Sequence, residues 1–332
     1  MRRRDFLAGV GGAAVGPLSA QAQGNARTQR IAILIGVPAN DQDGQRWLRR
    51  LIDALRNLGW RNGTNVNIDL RHASTIDQMR AAAQELIDLK PDVIAVATTL
   101  ASLEVLRKTT TIPVVFSIAN DPVALGLVKD LSRPGGNATG FYNIEPALGQ
   151  KWIEVLKEIA PRVTRVQVFI NSMAGAQLKF SWPKIQAAGA SLGITPESVE
   201  VRSIEEIGKK LESIGHDPQV GLVLALDDSF NVSRAPLITS FVLRHRLAAI
   251  YPLRDFVYAG GLISYAVDLG DLQRRLAGYV DRILKGERPG DLSVQGPTKF
   301  DLMINLKAAK DIGLTVPQTL RARANEVIEL GR

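Results

Sequence analysis

The sequence predicts an α/β protein made of two doubly wound parallel-sheet domains that are joined by three hinge crossings. The first observation is an alternation, starting at Arg30, of short β-branched runs with longer helical patterns, which is typical of a parallel sheet covered by helices. The second is that this alternation occurs twice along 332 residues, a length that usually divides into two domains. Together they favour two similar sheets that follow one another along the chain.

The individual elements follow from hydrophobic period and from turn residues. Strands are expected where short apolar runs are bounded by turn residues, and helices where apolar residues recur every three or four positions. The first half is predicted to contain strands at 31–36, 66–71, 93–97, 114–118 and 137–142, and helices near 43–58, 76–89, 100–110 and 122–131. The second half is predicted to contain strands at 166–170, 197–201, 220–226 and 248–251, and helices near 147–160, 175–192, 203–213 and 230–246.

The pattern changes after Gly260 and Gly261. A strand at 262–265, a helix near 269–285, a strand near 300–306 and a short helix ending at Gly313 are too little for a third domain. These pieces are therefore expected to return to the two sheets. The predicted first lobe comprises residues 30–143 and 262–287, the second comprises 144–260 and 297–330, and the chain crosses between them near 140–146, 258–261 and 285–297.

Residues 1–22 are predicted to be a cleaved signal peptide of the twin-arginine type. A basic head precedes an apolar stretch at 6–18, and Ala20 and Ala22 have the A-x-A spacing of a cleavage site. The run from Arg3 to Leu7 resembles a twin-arginine signal, which implies export by the twin-arginine translocase. We therefore expect cleavage near Ala22 and a periplasmic mature protein.

Composition argues against several function classes. Because the chain has no cysteine, it cannot form disulfides, thiolate zinc sites or iron–sulfur clusters, and its 3 histidines lie far apart. The motifs of serine hydrolases, P-loop proteins and zinc proteases are absent, and a G-x-G-x-x-A run at 9–14 lacks the preceding strand that a nucleotide site needs. We therefore expect no catalytic residues, no cofactor and no metal. The net charge of +8 is scattered and aromatic residues make up only 5%, so we expect no nucleic-acid partner.

The loops after the strands form the candidate binding site, because ligands of doubly wound sheets bind beyond the carboxyl ends of the strands. Thr98, Thr99 and Ser102 combine hydroxyl groups with the free N–H groups of a helix N-terminus, which suits a carboxylate. Helix capping explains these residues equally well. Asn120 and Asp121 open the next predicted helix, where capping is the stronger interpretation.

The second half offers a complementary set of side chains. Asp227 and Asp228 place two carboxylates at a strand end, where they could bind an ammonium group, and Phe230 could stack on a ring or side chain. Helix capping has equal weight, and an acid–base role would require one raised pKa. Asn171 begins another loop at a strand end, and Tyr251 and Tyr265 follow later strands, although such tyrosines belong more often to the core or surface.

Motifs that resemble one protein family run through the whole chain. They are RRRDFLAG at 2–9, TIPVVFSIANDPVALGLVKDLSRPGGNATG at 111–140, RDFVYAGGLISYAVDL at 254–269, RILKGERPGDL at 282–292 and PTKFDLMINLKAAKDIGLTVP at 297–317. Together they resemble the ABC transporter substrate-binding proteins of the tryptophan/tyrosine type. The resemblance covers about residues 30–330 and implies the type I periplasmic-binding fold, whose cleft closes on a ligand and presents it to an ABC permease in the inner membrane without chemistry.

The resemblance also implies roles for single residues. By analogy with amino-acid binders of that fold, Thr98, Thr99 and Ser102 would hold a carboxylate, and Asp227 or Asp228 would hold the α-ammonium group. Phe230, Tyr142 and Tyr251 would contact the ligand side chain. The predicted function is that of a periplasmic binding component of an ABC importer, with an amino acid or an aromatic compound as ligand.

Two other functions are compatible with this scaffold, and a third is not. A sensor that feeds a membrane receptor would have the same sequence features, and an exported α/β enzyme is a weaker alternative because fold does not dictate function. A transcriptional regulator of this fold would need a helix-turn-helix before the first strand, and the residues there are predicted to be an export signal instead.

Overall fold

The computed structural model describes residues 28–118, 121–143, 145, 147–225 and 234–329, without the side chains of residues 172–177, 179 and 180. The predicted signal peptide and the candidate site residues Asn120, Asp227, Asp228 and Phe230 lie outside these described residues. Within the described ranges, none of the helices has the length and apolar character that crossing a bilayer requires.

The first lobe, as far as the chain is described, contains a parallel sheet of five strands in the order β2-β1-β3-β4-β5. The central strands β1, β3 and β4 are short apolar runs with mostly buried residues, as expected for a sheet covered by helices on both faces. The strands are β1 (Gln29–Ile35), β2 (Val66–His72), β3 (Val93–Ala97), β4 (Val114–Ile118) and β5 (Ala138–Tyr142), and the helices between them are α1 (Gln42–Asn57), α2 (Ile76–Asp88) and α3 (Thr99–Leu106).

The second lobe repeats this strand order and extends it. Its described strands form a sheet of seven in the order β12-β11-β10-β9-β8-β6-β7, of which β7, β6, β8, β9 and β10 are parallel and reproduce the order of the first sheet. The added strand β11 is antiparallel to β10, and β12 is parallel to β11. The predicted fold class of two parallel-sheet domains is therefore confirmed, with a mixed edge on the second sheet.

The elements of the second lobe begin after residue 146. The strands are β6 (Arg165–Ile170), β7 (Thr195–Glu200), β8 (Val220–Leu224), β9 (Ala248–Tyr251), β10 (Ile263–Val267), β11 (Phe300–Asn305) and β12 (Glu326–Ile328). The helices are α4 (Ala147–Ile159), α5 (Ser172–Leu192), α6 (Ile204–Ile214), α7 (Ala235–Arg244), α8 (Arg254–Tyr258), α10 (Leu306–Asp311) and α11 (Gln318–Arg323). The helix α9 (Leu269–Leu284) follows β10 but packs on the first lobe. The predicted apolar stripe of α4 is buried against the sheet, where Trp152, Leu156 and Ile159 belong to its core.

The helix predicted near 122–131 is wrong. Residues 122–126 form hydrogen-bonded turns, in which Gly126 N–H donates to the Val123 carbonyl at 2.9 Å. Asp121 Oδ1 accepts the N–H groups of Val123 and Ala124, and Gly126 has a φ of +70°. Because the left-handed conformation at Gly126 interrupts helical geometry, the capped turn does not continue as a helix.

The strand at 263–267 also corrects the sequence prediction. Residues 262–287 were expected to lie wholly in the first lobe, whereas β10 pairs with β9 and β11 in the second sheet. The following helix α9 packs on the first lobe, beside α1. The reason is the unpredicted five-residue helix α8, which is too short to leave a periodic pattern and which returns the chain from β9 to β10.

The chain crosses between the lobes at three places. The first lies at 143–146 between β5 and α4, the second at 267–269 between β10 and α9, and the third at 296–299 before β11. The second crossing corrects the predicted position at 258–261. The third follows Gln295, whose carbonyl accepts the Tyr142 N–H at 3.1 Å and so ties this crossing to the end of β5.

Gly140, in strand β5 just before the first crossing, provides a stability test. It has a φ of +153°, and a Cβ there would stand 2.7 Å from the Phe116 backbone nitrogen on the neighbouring strand β4. We expect Gly140→Ala to lower the free energy of unfolding by about 1–3 kcal/mol, because the strand backbone must move to admit the methyl group. Urea unfolding measures this. Gly278→Ala in α9, where a Cβ would meet nothing within 4 Å, is the matched control and should not destabilise.

Asp271 links α9 to the third crossing and provides a pH-dependent prediction. Its carboxylate is 9% exposed and lies 2.8 Å from Lys299 Nζ, with Arg274 and Arg275 at 3.4 and 3.7 Å. Burial raises the pKa of Asp271, but the hydrogen bond from Lys299 and the three positive charges outweigh burial and leave the pKa below its usual value. A lowered folded-state pKa gives a stability contribution that is present above the unfolded pKa and is lost as the pH falls through the folded pKa.

We therefore expect Asp271→Asn to destabilise the protein by about 1–3 kcal/mol at pH 7. The difference from wild type should persist at pH 5 and shrink below the usual aspartate pKa of 3.8. Urea unfolding across this range measures both effects. Asp291→Asn, at a carboxylate that is 68% exposed beside Arg288, is the control. A difference for Asp271→Asn that did not change with pH would contradict the charge assignment.

Candidate functional site

The two sheets place the candidate residues at equivalent points. In the first sheet β1 and β3 are neighbours although the chain leaves them in opposite directions, to β2 and to β4, and Thr98 directly follows β3. In the second sheet β6 and β8 have the same relation, and Asn171 directly follows β6. Such a change of direction opens a crevice at the carboxyl ends of the strands, which is where ligands of doubly wound sheets bind.

Thr98 has an unusual backbone conformation. Its φ of 82° and ψ of 149° lie in a region that is populated almost entirely by glycine. A β-branched residue there costs on the order of 1–3 kcal/mol, and such strain is concentrated at functional sites. The conformation is held on both sides, because Thr98 N–H donates to the Ser117 carbonyl at 3.1 Å and the Thr98 carbonyl accepts Ser102 N–H at 3.1 Å.

The Thr98 hydroxyl does not cap helix α3. Thr98 occupies the N-cap position but makes no side-chain capping bond, and its buried Oγ1 has no hydrogen-bond partner among the described residues. The side chain lies against Gly36, where an added Cβ would be 3.1 Å from Thr98 Cβ and would collide with Oγ1. The capping interpretation therefore fails at Thr98, and a buried hydroxyl group stands beside the N-terminus of α3 with hydrogen-bonding capacity to spare.

Ser102 plays a supporting role that the sequence did not predict. It is 0% exposed, and its Oγ donates to the Thr98 carbonyl at 2.8 Å. A fully buried hydroxyl that is already engaged with the backbone does not face a ligand, so the expected direct contact at Ser102 is corrected. Ser102 instead stabilises the strained Thr98 backbone. Thr99, the first residue of α3, is half-buried at the same edge.

Asp121 and Tyr142 lie beside one another at the carboxyl ends of β4 and β5. Asp121 is exposed and caps the 122–126 turn, as its capping interpretation predicts. Burial raises the pKa of the Tyr142 phenol, and the nearby carboxylates of Glu145 and Asp121 raise this pKa further. The Tyr142 ring packs on Gly296, where a Cβ would be 2.9 Å from Tyr142 Cζ, so this tyrosine stands where two crossings meet.

Tyr251 and Tyr265, the two candidate tyrosines of the second lobe, differ in their burial. Tyr251 is 1% exposed and stacks on Phe256 with ring centroids 5.1 Å apart, so it is a core residue and the expected contact with a ligand is corrected. Its hydroxyl has no partner among the described residues, and burial raises its pKa. Tyr265 is half-buried and stacks on Phe300 at 5.8 Å. Burial raises the pKa of Tyr265, with smaller contributions from Lys151, which lowers this pKa, and from Glu154, which raises it.

Asn171 is the described candidate residue that directly follows β6 in the second lobe. It is 4% exposed at the end of β6 and occupies the N-cap position of α5 without a side-chain capping bond. In sequence, β8 is followed by residues 226–233, which include Asp227, Asp228 and Phe230 and lie outside the described residues.

Two apolar residues at the first-lobe edge were missed by the sequence analysis. Leu100 is 50% exposed in the first turn of α3, and Val123 is 40% exposed in the turn after β4. Because β3 and β4 are adjacent, the two residues follow the carboxyl ends of neighbouring strands. The available signal was an apolar side chain directly after Thr98 and Thr99, where a solvent-facing first turn would be polar.

Two doubly wound lobes, three crossings and polar groups at equivalent strand ends of the two sheets are the architecture of a two-lobed ligand-binding protein. A profile of the ABC transporter substrate binding protein family matches residues 31–328, and the chain belongs to this family. It is 22% identical over 268 residues to a tyrosine-binding protein of Clostridioides difficile, across 79% of this chain and 75% of the relative.

Solved structures show the same architecture. A conserved domain protein from Vibrio cholerae has a TM-score of 0.74 at 25% identity, and covers 91% of this chain and all 100% of its own. An ABC domain from Streptococcus pneumonia in complex with L-Trp has a TM-score of 0.75 at 24% identity with the same coverage. The fold expected from the sequence resemblance is thus confirmed, and the family is one of solute-binding proteins.

Proposed function

We propose that this protein is the periplasmic binding component of an ABC importer, which captures an amino acid between its lobes and delivers it to a permease in the inner membrane. The observation that carries the proposal is Thr98, whose strained backbone holds an unpartnered hydroxyl beside the N-terminus of α3 at the sheet crevice. Helix N-termini favour anions through their free N–H groups and the helix dipole. The group that fits is a carboxylate.

The remaining contacts follow from the chemistry of an amino acid. Asp227 or Asp228 binds the α-ammonium group, because a carboxylate pairs with a cation by charge-assisted hydrogen bonds. Phe230 and Tyr142, with Leu100 and Val123, contact an apolar or aromatic side chain. An aromatic ligand is supported by the tyrosine-binding relative and by the structural neighbour that holds L-Trp.

The mature protein acts in the periplasm and without catalysis. Residues 1–22 direct export through the twin-arginine translocase and are removed near Ala22, as their basic head and A-x-A spacing indicate. Binding requires no cofactor in this proposal. The two lobes close because the ligand contacts both of them and so binds the closed arrangement more tightly than the open one.

Calorimetric titration of residues 23–332 tests the proposal. The panel contains L-tryptophan, L-tyrosine, aliphatic amino acids, sugars, and aromatic propionates that lack the α-ammonium group. Binding of aromatic amino acids near the micromolar range, about 8 kcal/mol, is expected, with weaker binding of the propionates. Preferential binding of a sugar would overturn the amino-acid assignment, and turnover of a bound compound would overturn the assignment as a non-catalytic protein.

A further inference from the structure

The two lobes contact one another at a point outside the three crossings. Arg46 Nη1, from helix α1 of the first lobe, donates to Asp255 Oδ1, from helix α8 of the second lobe, at 3.0 Å. The two residues are 209 positions apart in sequence. Their side chains are 29% and 27% exposed, so the ion pair is half-buried. The pair is therefore a tertiary contact between lobes rather than a solvated surface pair.

Both partners lie on helices that follow the carboxyl ends of strands, the edge at which the proposed function places the ligand. Helix α1 follows β1, and Arg46 lies in its second turn. Helix α8 follows β9, and Asp255 lies in its first turn. The crossings occupy 143–146, 267–269 and 296–299. The contact between α1 and α8 is separate from all three of these segments. A contact across the crevice in addition to the hinge restrains the angle between the lobes.

The guanidinium group of Arg46 is held in place from its own lobe. Its Nη2 donates to Asp43 Oδ1 one helical turn earlier, while Nη1 reaches Asp255. A planar guanidinium that is fixed by one carboxylate loses less conformational freedom when it meets a second one. The start of α1 is itself anchored, because Asp41 Oδ1 caps Gly44 N–H at 2.7 Å.

We propose that Arg46 and Asp255 form an interlobe latch that stabilises the closed arrangement of the lobes before any ligand arrives. The proposal rests on the closing cleft of the proposed function. It adds to the free energy of closure a contribution that does not depend on ligand. The apparent dissociation constant equals the intrinsic constant divided by the fraction of closed protein, so the latch tightens binding without touching the ligand. A partly exposed ion pair is expected to change that fraction by about two- to fivefold.

Distance measurements on the ligand-free protein test the latch. Because the chain has no cysteine, Ser74→Cys in the first lobe and Ser240→Cys in the second allow specific spin labelling at two exposed positions. Arg46→Gln and Asp255→Asn are each expected to shift the interlobe distances towards longer values. The double variant should shift them no further, because either substitution alone removes the same pair. High salt should move the wild type in the same direction by screening the pair.

Arg56→Gln is the matched control, because Arg56 pairs with Asp53 within α1 at 2.8 Å and touches no second-lobe residue in any described ion pair. Its distance distribution should equal that of the wild type. Unchanged distances in Arg46→Gln, or an equal shift in Arg56→Gln, would overturn the latch. Calorimetric titration with an amino acid that binds the wild type should show a two- to fivefold weaker affinity for the Arg46→Gln variant. If no compound of the calorimetric panel binds the wild type, that result counts against the proposed function. The interlobe distances of the ligand-free protein still test the latch in that case.

Discussion

Asp227→Ala or Asp228→Ala is expected to weaken amino-acid binding by roughly 2–5 kcal/mol, because one of these carboxylates pairs with the α-ammonium group inside a closed cleft. Removing one partner leaves the other charge buried without compensation, which accounts for the size of the effect. Calorimetric titration of each single variant identifies the pairing residue. The other aspartate is expected to show a smaller loss, since adjacent side chains point in different directions.

Two comparisons separate this pairing from a general loss of binding. Aromatic propionates, which lack the ammonium group, should bind the variants as well as they bind the wild type. Asp311→Ala removes a second-lobe aspartate that forms an exposed pair with Lys307, and should leave affinity unchanged. Unchanged amino-acid affinity in both Asp227→Ala and Asp228→Ala would rule out the ammonium assignment.

Two substitutions of Thr98 are expected to have similar effects on ligand affinity and different effects on the stability of the protein. Thr98→Val retains the β-branched shape and removes the hydroxyl group, so we expect binding of carboxylate ligands to weaken by about 1.5–3 kcal/mol, the range for a hydrogen bond to a charged group. Thr98→Gly removes the hydroxyl and also relieves the positive φ of 82°. This second variant should bind as weakly as Thr98→Val but unfold at a higher temperature, with a gain of about 1–3 kcal/mol.

Thr319→Val is the control for the loss of a threonine hydroxyl. Thr319 lies in α11, away from the crevice, and donates to Glu158 Oε1 on the protein surface. The ligand affinity of the Thr319→Val variant should equal that of the wild type. A Thr98→Gly protein that was less stable than wild type would show that the backbone conformation is not strained. Unchanged affinity in Thr98→Val would show that the ligand carboxylate is bound by another group at this edge.

The accuracy of the sequence prediction varied with the kind of contact involved. The strands β1, β3 and β4 were predicted to within two residues because their apolar runs are bounded by glycine, proline and polar residues. Thr98 was found as a candidate because two hydroxyl residues follow a strand and begin a helix. Its strain was not predictable, because it depends on Gly36 and on the Ser117 carbonyl of neighbouring strands.

Tyr251 and Ser102 were misassigned for a related reason. Both follow the residue pattern of a ligand edge, but Tyr251 turns inward onto Phe256 and Ser102 turns back onto the Thr98 carbonyl. Side-chain direction at a strand end depends on the packing of the next helix, which the local pattern does not encode. Arg46 and Asp255 were missed because nothing in the sequence relates residues that are 209 positions apart on two different helices.

The sequence by itself determined the class of the protein, which has two α/β lobes and belongs to a family whose members bind solutes. The export signal stays a prediction from the sequence. Hydrophobic period and turn residues are local properties, so they are readable along the chain. The tertiary structure alone decided that β10 joins the second sheet, that Thr98 adopts a glycine-like conformation, and that Arg46 meets Asp255 across the crevice. These features arise where distant segments compete for the same space and the same hydrogen-bonding groups, and their outcome depends on packing between elements.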